Sequence, residues 1–421
     1  MTTLRHTSRS GSSSAFAALV MAFVSLLVPT RARAQVVETR LRATVFHEPS
    51  PTSKMTVLTP SAQLEVSPWE FLSVNAGYEA DIVSGASEAV KAGPSSPPDV
   101  VSAASVHDLR HVVNGGLTIT RKHTHLGASY AYGTERDYRS NSFTVNAGSD
   151  FFQKNTQIEL SYGRGFDKVC NVKYADTLSP TLRPRLDSSK GCFAGAKTRR
   201  LMPIDLDSFQ IGWTQSWTPL FTTQLVFSGQ LQHGFLSNAY RSVVISAAGS
   251  AAQEHHPDNR ARTAAAIRAK YYVKPLATAF GIDARIYRDT WDILSQTYEI
   301  NAERYMLPWL RLMLRGRFYT QTGALFWSDD YTGGEPITGP RGQYWSGDRE
   351  LSPLQNFLGG GRLIATWNGH KGDRIAGMLL SVSTEATLDV IKTKLDQFTW
   401  AGRAPDDTFA IVGGLGIDGQ F

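Results

Sequence analysis

Through most of this chain apolar and polar residues alternate one by one. Period-two alternation marks a strand, because successive side chains point to opposite faces of a sheet. In TFAIVGGLGIDGQF one register carries Phe409, Ile411, Gly413, Leu415, Ile417, Gly419 and Phe421. The other carries Ala410, Val412, Gly414, Gly416, Asp418 and Gln420, so one face is apolar to the last residue while the other is small or polar. The same reading predicts strands near 37–46, 55–66, 71–81, 108–119, 124–134, 138–151, 156–166, 207–217, 221–233, 260–273, 277–288, 293–306, 310–320, 356–367, 374–386 and 408–421. That makes sixteen. Pro60 interrupts the second segment and Arg374 to Ala386 alternates poorly, so twelve or fourteen strands also fit.

The connections come in two kinds. Tight ones carry proline at Pro68, Pro219, Pro275 and Pro308, or read Arg121-Lys122-His123, Gln153-Lys154-Asn155 and Asn368-Gly369-His370-Lys371. Proline lacks a donor and suits turns rather than central ladder positions. Longer polar ones span about 83–107, 167–205, 236–259, 321–354 and 387–407. Short turns at one end and longer loops at the other are the layout of a transmembrane antiparallel β-barrel, and a soluble sandwich gives no reason for it. Trp69, Trp213, Trp217, Trp309, Trp327, Trp345, Trp367 and Trp400 fall at or just beyond strand ends, where aromatic girdles are expected.

The start of the chain sharpens this all-β reading. Arg5 and Arg9 precede an apolar run from Ala15 to Val28; Pro29 follows, then Ala32-Arg33-Ala34. That is the layout of a secretory signal cleaved after Ala34, and the run is too short for a good membrane-spanning helix. The formal charge of +6 falls to +2 when Arg5, Arg9, Arg31 and Arg33 leave. A nucleic-acid partner thereby loses its electrostatic support. The mature chain, 35–421, is expected to be one barrel domain.

Charge placement fixes which face points inward. Arg260, Arg262, Arg268, Lys270 and Tyr272 oppose Ala261, Ala265, Ile267 and Val273. Asp283, Arg285 and Tyr287 oppose Phe280, Ile282 and Ile286; Glu299 and Glu303 oppose Tyr298, Ile300 and Ala302. Arg311, Arg315 and Arg317 oppose Leu310, Leu312, Leu314 and Phe318, and Arg362 has the inward register of its strand. A lysine or arginine facing lipid at mid-membrane costs about 2–4 kcal/mol, so these residues are expected to line the lumen. Glu299 and Glu303 pair across strands but cannot neutralise every arginine, which predicts a positive lumen favouring small polar anions.

Other chemistry is sparse. Cys170 and Cys192, both placed in the 167–205 connection, are expected to form a disulfide in an oxidising compartment. Glu254-His255-His256-Pro257-Asp258 is the densest group of metal-ligand types, but adjacent histidines project apart and no regularly spaced third ligand follows, so no metal is expected. Gly414-Leu415-Gly416-Ile417-Asp418-Gly419 matches a dinucleotide fingerprint without the helix that motif needs; its glycines are expected to relieve crowding in the wall. No cofactor signature is evident. H-E-x-x-H, G-x-S-x-G and C-x-x-C do not occur, and only an enzyme site assembled from distant residues stays open.

The stretch Tyr78-Glu79-Ala80-Asp81-Ile82-Val83-Ser84-Gly85-Ala86-Ser87 resembles a family of Gram-negative outer-membrane β-barrel proteins of unknown function. The resemblance continues at Asp99–Ser105, at His107-Asp108-Leu109-Arg110-His111 and at Tyr287-Arg288-Asp289-Thr290-Trp291-Asp292-Ile293. It implies a barrel in the outer membrane, with no catalytic residue to carry over. It also implies a neighbourhood of flavin-transfer and thiol-redox proteins, hence a plugged envelope scaffold as the alternative to a channel. Taken by residue, Tyr78 faces out and Asp81 in. Asp81, Asp108 and Arg110 are then expected to clasp the rim. Phe421, a terminal aromatic on an alternating strand, resembles the signal read by the barrel assembly machinery. Expected partners are therefore outer-membrane lipid, that machinery and small polar solutes; the oligomeric state is left open.

Overall fold

The computed structural model describes residues 36–49, 54–85, 108–186, 192, 197–244, 251–328, 331, 343–369, 374–375, 378–395 and 408–421. The expected export segment, the stretch Asp99–Ser105 and Trp400 lie outside the described residues, as do the side chains of Ser84, Gly85 and Asp108.

Strands β1 (Val36–Pro49), β2 (Lys54–Trp69), β3 (Leu72–Gly85), β4 (Asp108–Arg121), β5 (Thr124–Thr134) and β6 (Tyr138–Phe151) come first. β7 (Thr156–Val172), β8 (Arg199–Thr218) and β9 (Phe221–Gly234) follow. A small hairpin, β10 (Ser242–Val244) with β11 (Ala251–Gln253), precedes β12 (Asn259–Val273), β13 (Thr278–Asp289), β14 (Leu294–Leu307) and β15 (Leu310–Gln321). β16 (Leu354–Asn368), β17 (Ser381–Lys394) and β18 (Thr408–Gln420) complete the wall. Outside the hairpin each strand pairs antiparallel with its neighbours, and β18 bonds to both β17 and β1. The sheet is a closed sixteen-stranded barrel, which removes the twelve- and fourteen-stranded alternatives. The terminal aromatic is tied in: the Phe421 amide donates to the Val37 carbonyl at 2.9 Å, across the closing seam.

Three local expectations are corrected. The strand placed at 374–386 is β17 at 381–394, because the working alternation is Glu385, Thr387 and Asp389 against Ala386, Leu388 and Val390. The turn after Asn368 is accordingly longer than a hairpin. Next, β7 and β8 run well beyond 156–166 and 207–217, pairing as far as Val172 with Arg199, so Cys170 lies on a strand. Last, β2 passes through Pro60: it pairs with Ala43 on β1, while the ladder to β3 is skipped there, as a residue without a donor requires.

The outer face is apolar. Ile282, Ile300, Leu314, Leu388, Leu415 and Ile417 are each more than half exposed, a burial pattern that only a lipid surround explains. At the tight-turn end Trp69 stacks on Phe71 (5.8 Å) and Trp309 on Trp367 (6.0 Å), giving the expected girdle. Trp327 and Trp345 depart from that expectation: they are 7% and 1% exposed, inside the packed loops at the opposite end.

Candidate functional site: a charged wall beneath a folded loop layer

Strand register assembles the inner face. Arg268 lies opposite Asp283, Asp283 opposite Glu299, and Glu299 opposite Arg317. Arg268 Nε meets Asp283 at 2.8 Å, and Arg311 meets Glu303 at 2.8 Å. Several pairs skip a strand. Lys270 on β12 passes over Gly281 of β13 to reach Glu303 on β14 at 2.8 Å. Arg315 on β15 passes over Gly360 of β16 to grip Asp389 on β17 with Nε (3.1 Å) and Nη2 (2.5 Å). Arg42 on β1 passes over Gly416 of β18 towards Glu385 on β17 (3.7 Å).

Spanning of this kind works on the concave side of a closed sheet, where alternate strands converge. The glycine between is part of the arrangement. A Cβ at residue 360 would sit 1.8 Å from Asp389 Oδ1, and one at residue 416 would sit 2.6 Å from Arg42 Nη1. Gly416 of the dinucleotide-like run therefore clears a path for a guanidinium.

The sequence reading of the wall missed Glu385, Asp389 and Asp418. Glu385 takes Arg362 at 2.6 Å, and Asp418 takes Arg42 at 2.7 Å. The misplaced fifteenth strand had left Asp389 in a loop. With these acids included, Arg262, Arg285 and Arg317 are the members of the basic group with no carboxylate within 4 Å among the described residues. The remaining acids of the opposite side, Glu65, Glu79 and Glu159 among them, share the inward register of β2, β3 and β7. The arginines without a carboxylate partner among the described residues thus lie on β12, β13 and β15, and these acids on β2, β3 and β7.

The family stretches sit at the outer rim. Tyr78 faces out and bonds His111 Nδ1 at 2.8 Å. Asp81 faces in, accepting from Thr59 (2.7 Å) and Arg110 (3.3 Å); Arg110 also approaches Glu135 at 3.7 Å. The second stretch is more tightly bound. Asp289, with its side chain wholly buried, accepts from Arg260 Nε (2.8 Å) and Nη2 (2.5 Å) and from the Tyr287 hydroxyl (2.7 Å). The amides of Trp291 and Ile293 donate to it as well, each at 3.0 Å. The Arg260 guanidinium also lies over the Trp291 ring at 4.0 Å. Sequence reasoning placed Arg260 in open lumen; it is instead the keystone of a loop base.

Above the wall the longer connections pack on one another. One apolar cluster joins Trp291, Ile293, Phe326, Trp327, Leu351, Leu354 and Leu395; a second joins Val243, Ala252, Tyr331 and Trp345. A third surrounds Cys170 with Leu186, Phe235, Ala239 and Tyr240, and the Cys170–Cys192 disulfide is formed, with Cα atoms 5.4 Å apart. Arg349 reaches Glu48 at the end of β1 (3.1 Å), and the Tyr240 hydroxyl donates to Asp137 beyond β5. These contacts tie the β5–β6, β7–β8, β9–β12, β13–β14, β15–β16 and β17–β18 connections into one layer.

The histidine cluster belongs to that layer. His255 Nδ1 meets the Gln343 carbonyl at 2.7 Å, while His256 Nδ1 meets the Leu236 carbonyl at 3.0 Å, so the two rings serve different neighbours. Glu254 accepts from Ser346 Oγ (3.1 Å) and the Gly347 amide (2.9 Å). Burial holds the His255 pKa below the ordinary range of a histidine. Burial alone would raise the Asp348 pKa; its contact with Arg241 more than reverses that and leaves it depressed.

Residues 12–371 match the model of a family described as a protein of unknown function, DUF3570. The chain belongs to that family. No curated protein matches its sequence. Among solved structures it is similar to a bacterial polysaccharide outer membrane secretin, at 9% identity over 91% of this chain and 98% of that one, with a TM-score of 0.49. It is also similar to a BenF-like porin from Pseudomonas fluorescens Pf-5 (10% identity, 92% and 99% covered, TM-score 0.42). A third is Pseudomonas aeruginosa OprD (8%, 93% and 97%, 0.42). The membrane assignment rests on the wall itself. A closed antiparallel sheet with an apolar exterior satisfies its backbone internally, which is the form that bacterial outer membranes hold.

Proposed function

We propose that this protein is a porin-like channel of the outer membrane that passes small polar solutes with a preference for anions. The observation that carries the reading is the side of the wall bearing Arg262, Arg285 and Arg317, three guanidinium groups with no carboxylate within 4 Å among the described residues. Charge held on low-dielectric walls focuses the field along the water path and raises the local concentration of counter-charged solute. No chemical step at a side chain is invoked. Residues 1–34 serve as the export segment on this reading, and Phe421 as the assembly address. The test is a planar-bilayer recording of the purified protein: discrete conductance steps support the channel. A silent protein that is correctly folded would favour a plugged scaffold, a second reading that the three apolar clusters of the loop layer support.

A further inference from the structure

We propose that a recess in the barrel wall, beside β8, β9, β12 and β13, binds a small polyhydroxylated anion such as a sugar acid or sugar phosphate. The proposal deepens the channel reading and rests on it for its biological meaning. The recess has a volume of about 380 Å³, within the range of about 300–1,000 Å³ usual for ligand pockets. Its two sides differ in chemistry. One presents Ser208, Gln210, Ser228 and Gln230; the other presents Arg262 and Arg285. From Ser208 to Ser216 and from Thr222 to Gln232 the inward positions of β8 and β9 hold no charged residue at all.

These groups are not used up by the fold. Gln210, Ser228 and Arg285 make no side-chain hydrogen bond or ion pair among the described residues. Arg262 has only a long contact with Gln230, at 3.4 Å. Hydroxyl and amide groups both donate and accept, which suits successive hydroxyls along a sugar chain. A guanidinium presents a planar fork that matches a carboxylate or phosphate. Neither half fits a simpler ligand alone, since a bare anion would leave the Ser and Gln groups unmatched and a neutral sugar would leave Arg285 without a counter-ion. A second cavity, of about 500 Å³, lies under the loop layer and is lined by Arg262 too. Solute entering beneath the loops therefore meets Arg262 on its way to the recess.

The test is isothermal titration of the full-length protein in detergent micelles, with gluconate, glycerol 3-phosphate, glucose and acetate as probes. Equilibrium binding needs no conduction, so the outcome is separate from that of the channel reading. Gluconate, glycerol 3-phosphate or both should bind with a Kd on the order of 1 mM, at least about tenfold tighter than glucose and acetate. The two arms tell a carboxylate from a phosphate. Arg285→Gln should weaken binding about tenfold or more, the loss of one charge-assisted contact. Ser228→Ala should weaken gluconate or glycerol 3-phosphate while leaving acetate unchanged. Heat-modifiable electrophoretic mobility verifies that each variant is folded. Acetate binding as tightly as the hydroxylated anions would overturn the proposal. So would the absence of binding by both anions up to about 50 mM, or full affinity in folded Arg285→Gln protein.

Discussion

Two aspartates three residues apart give the sharpest test of how the loop base is held. Asp289 is wholly buried and takes both Arg260 nitrogens, the Tyr287 hydroxyl and two amides, while Arg260 itself is only 8% exposed. Asp292 is 64% exposed and stands 3.9 Å from a still more exposed Arg288. Asp289→Asn keeps the shape and removes the charge, leaving a buried guanidinium uncompensated. Breaking a buried pair from one side costs about 3–5 kcal/mol. Asp292→Asn breaks a surface pair worth about 0–1 kcal/mol, at a positive φ of 68° that asparagine tolerates well. Urea unfolding of the protein folded into lipid vesicles, followed by tryptophan fluorescence, measures both. Hydrogen exchange over residues 290–293 and 322–328 locates the loss. The reasoning fails if Asp289→Asn lies within about 1 kcal/mol of the parent or matches Asp292→Asn.

Three further outcomes are expected. Gly360→Ala should displace Asp389 from Arg315 and lower the yield of folded barrel, whereas Gly359→Ala, which meets open space, should not. Equal yields would remove the glycine's role in the strand-skipping pair. Thiol labelling of unreduced, denatured protein should find neither Cys170 nor Cys192 free, and reduction should loosen the layer around Leu186 and Tyr240, read as faster proteolysis there. Acid should loosen the layer as well. His255 and Asp348 both have depressed folded pKa values, so the unfolded layer binds more protons; stability falls first below about pH 6.5 and again below about pH 4. Protection factors over 251–256 and 343–353, corrected for the intrinsic pH dependence of amide exchange, that do not fall between neutral pH and about pH 5 would contradict the buried neutral His255.

The barrel was legible because its signal is repeated in every strand. Alternation alone placed fifteen segments in register with the wall, and charged positions such as Arg268, Asp283 and Glu299 told inside from outside. The failures share a cause. The segment 374–386 alternates poorly, and ending it at Ala386 left Asp389, which continues the alternation after Ser381, outside the wall. Which carboxylate neutralises which arginine depends on next-but-one strands, and the clue was present as glycine: Gly360 and Gly416 sit in register between Arg315 and Asp389 and between Arg42 and Glu385. The loop layer was hidden more deeply. Trp327 and Trp345 fall near strand ends in sequence, and only the packing of separate connections shows them to be core residues. Asp289 carried no signal beyond its place in a family stretch, because its five donors come from Arg260 and from its own turn.

The most direct test of the central claim is the reversal potential of the purified protein in a planar bilayer under a potassium chloride gradient. The account predicts conductance with an anion-selective potential that shrinks as ionic strength rises, because exposed charge is screened. Replacing Arg262, Arg285 and Arg317 together with glutamine should move the potential towards cations. Cation selectivity in the unmodified protein, or a folded barrel that never conducts, would contradict it.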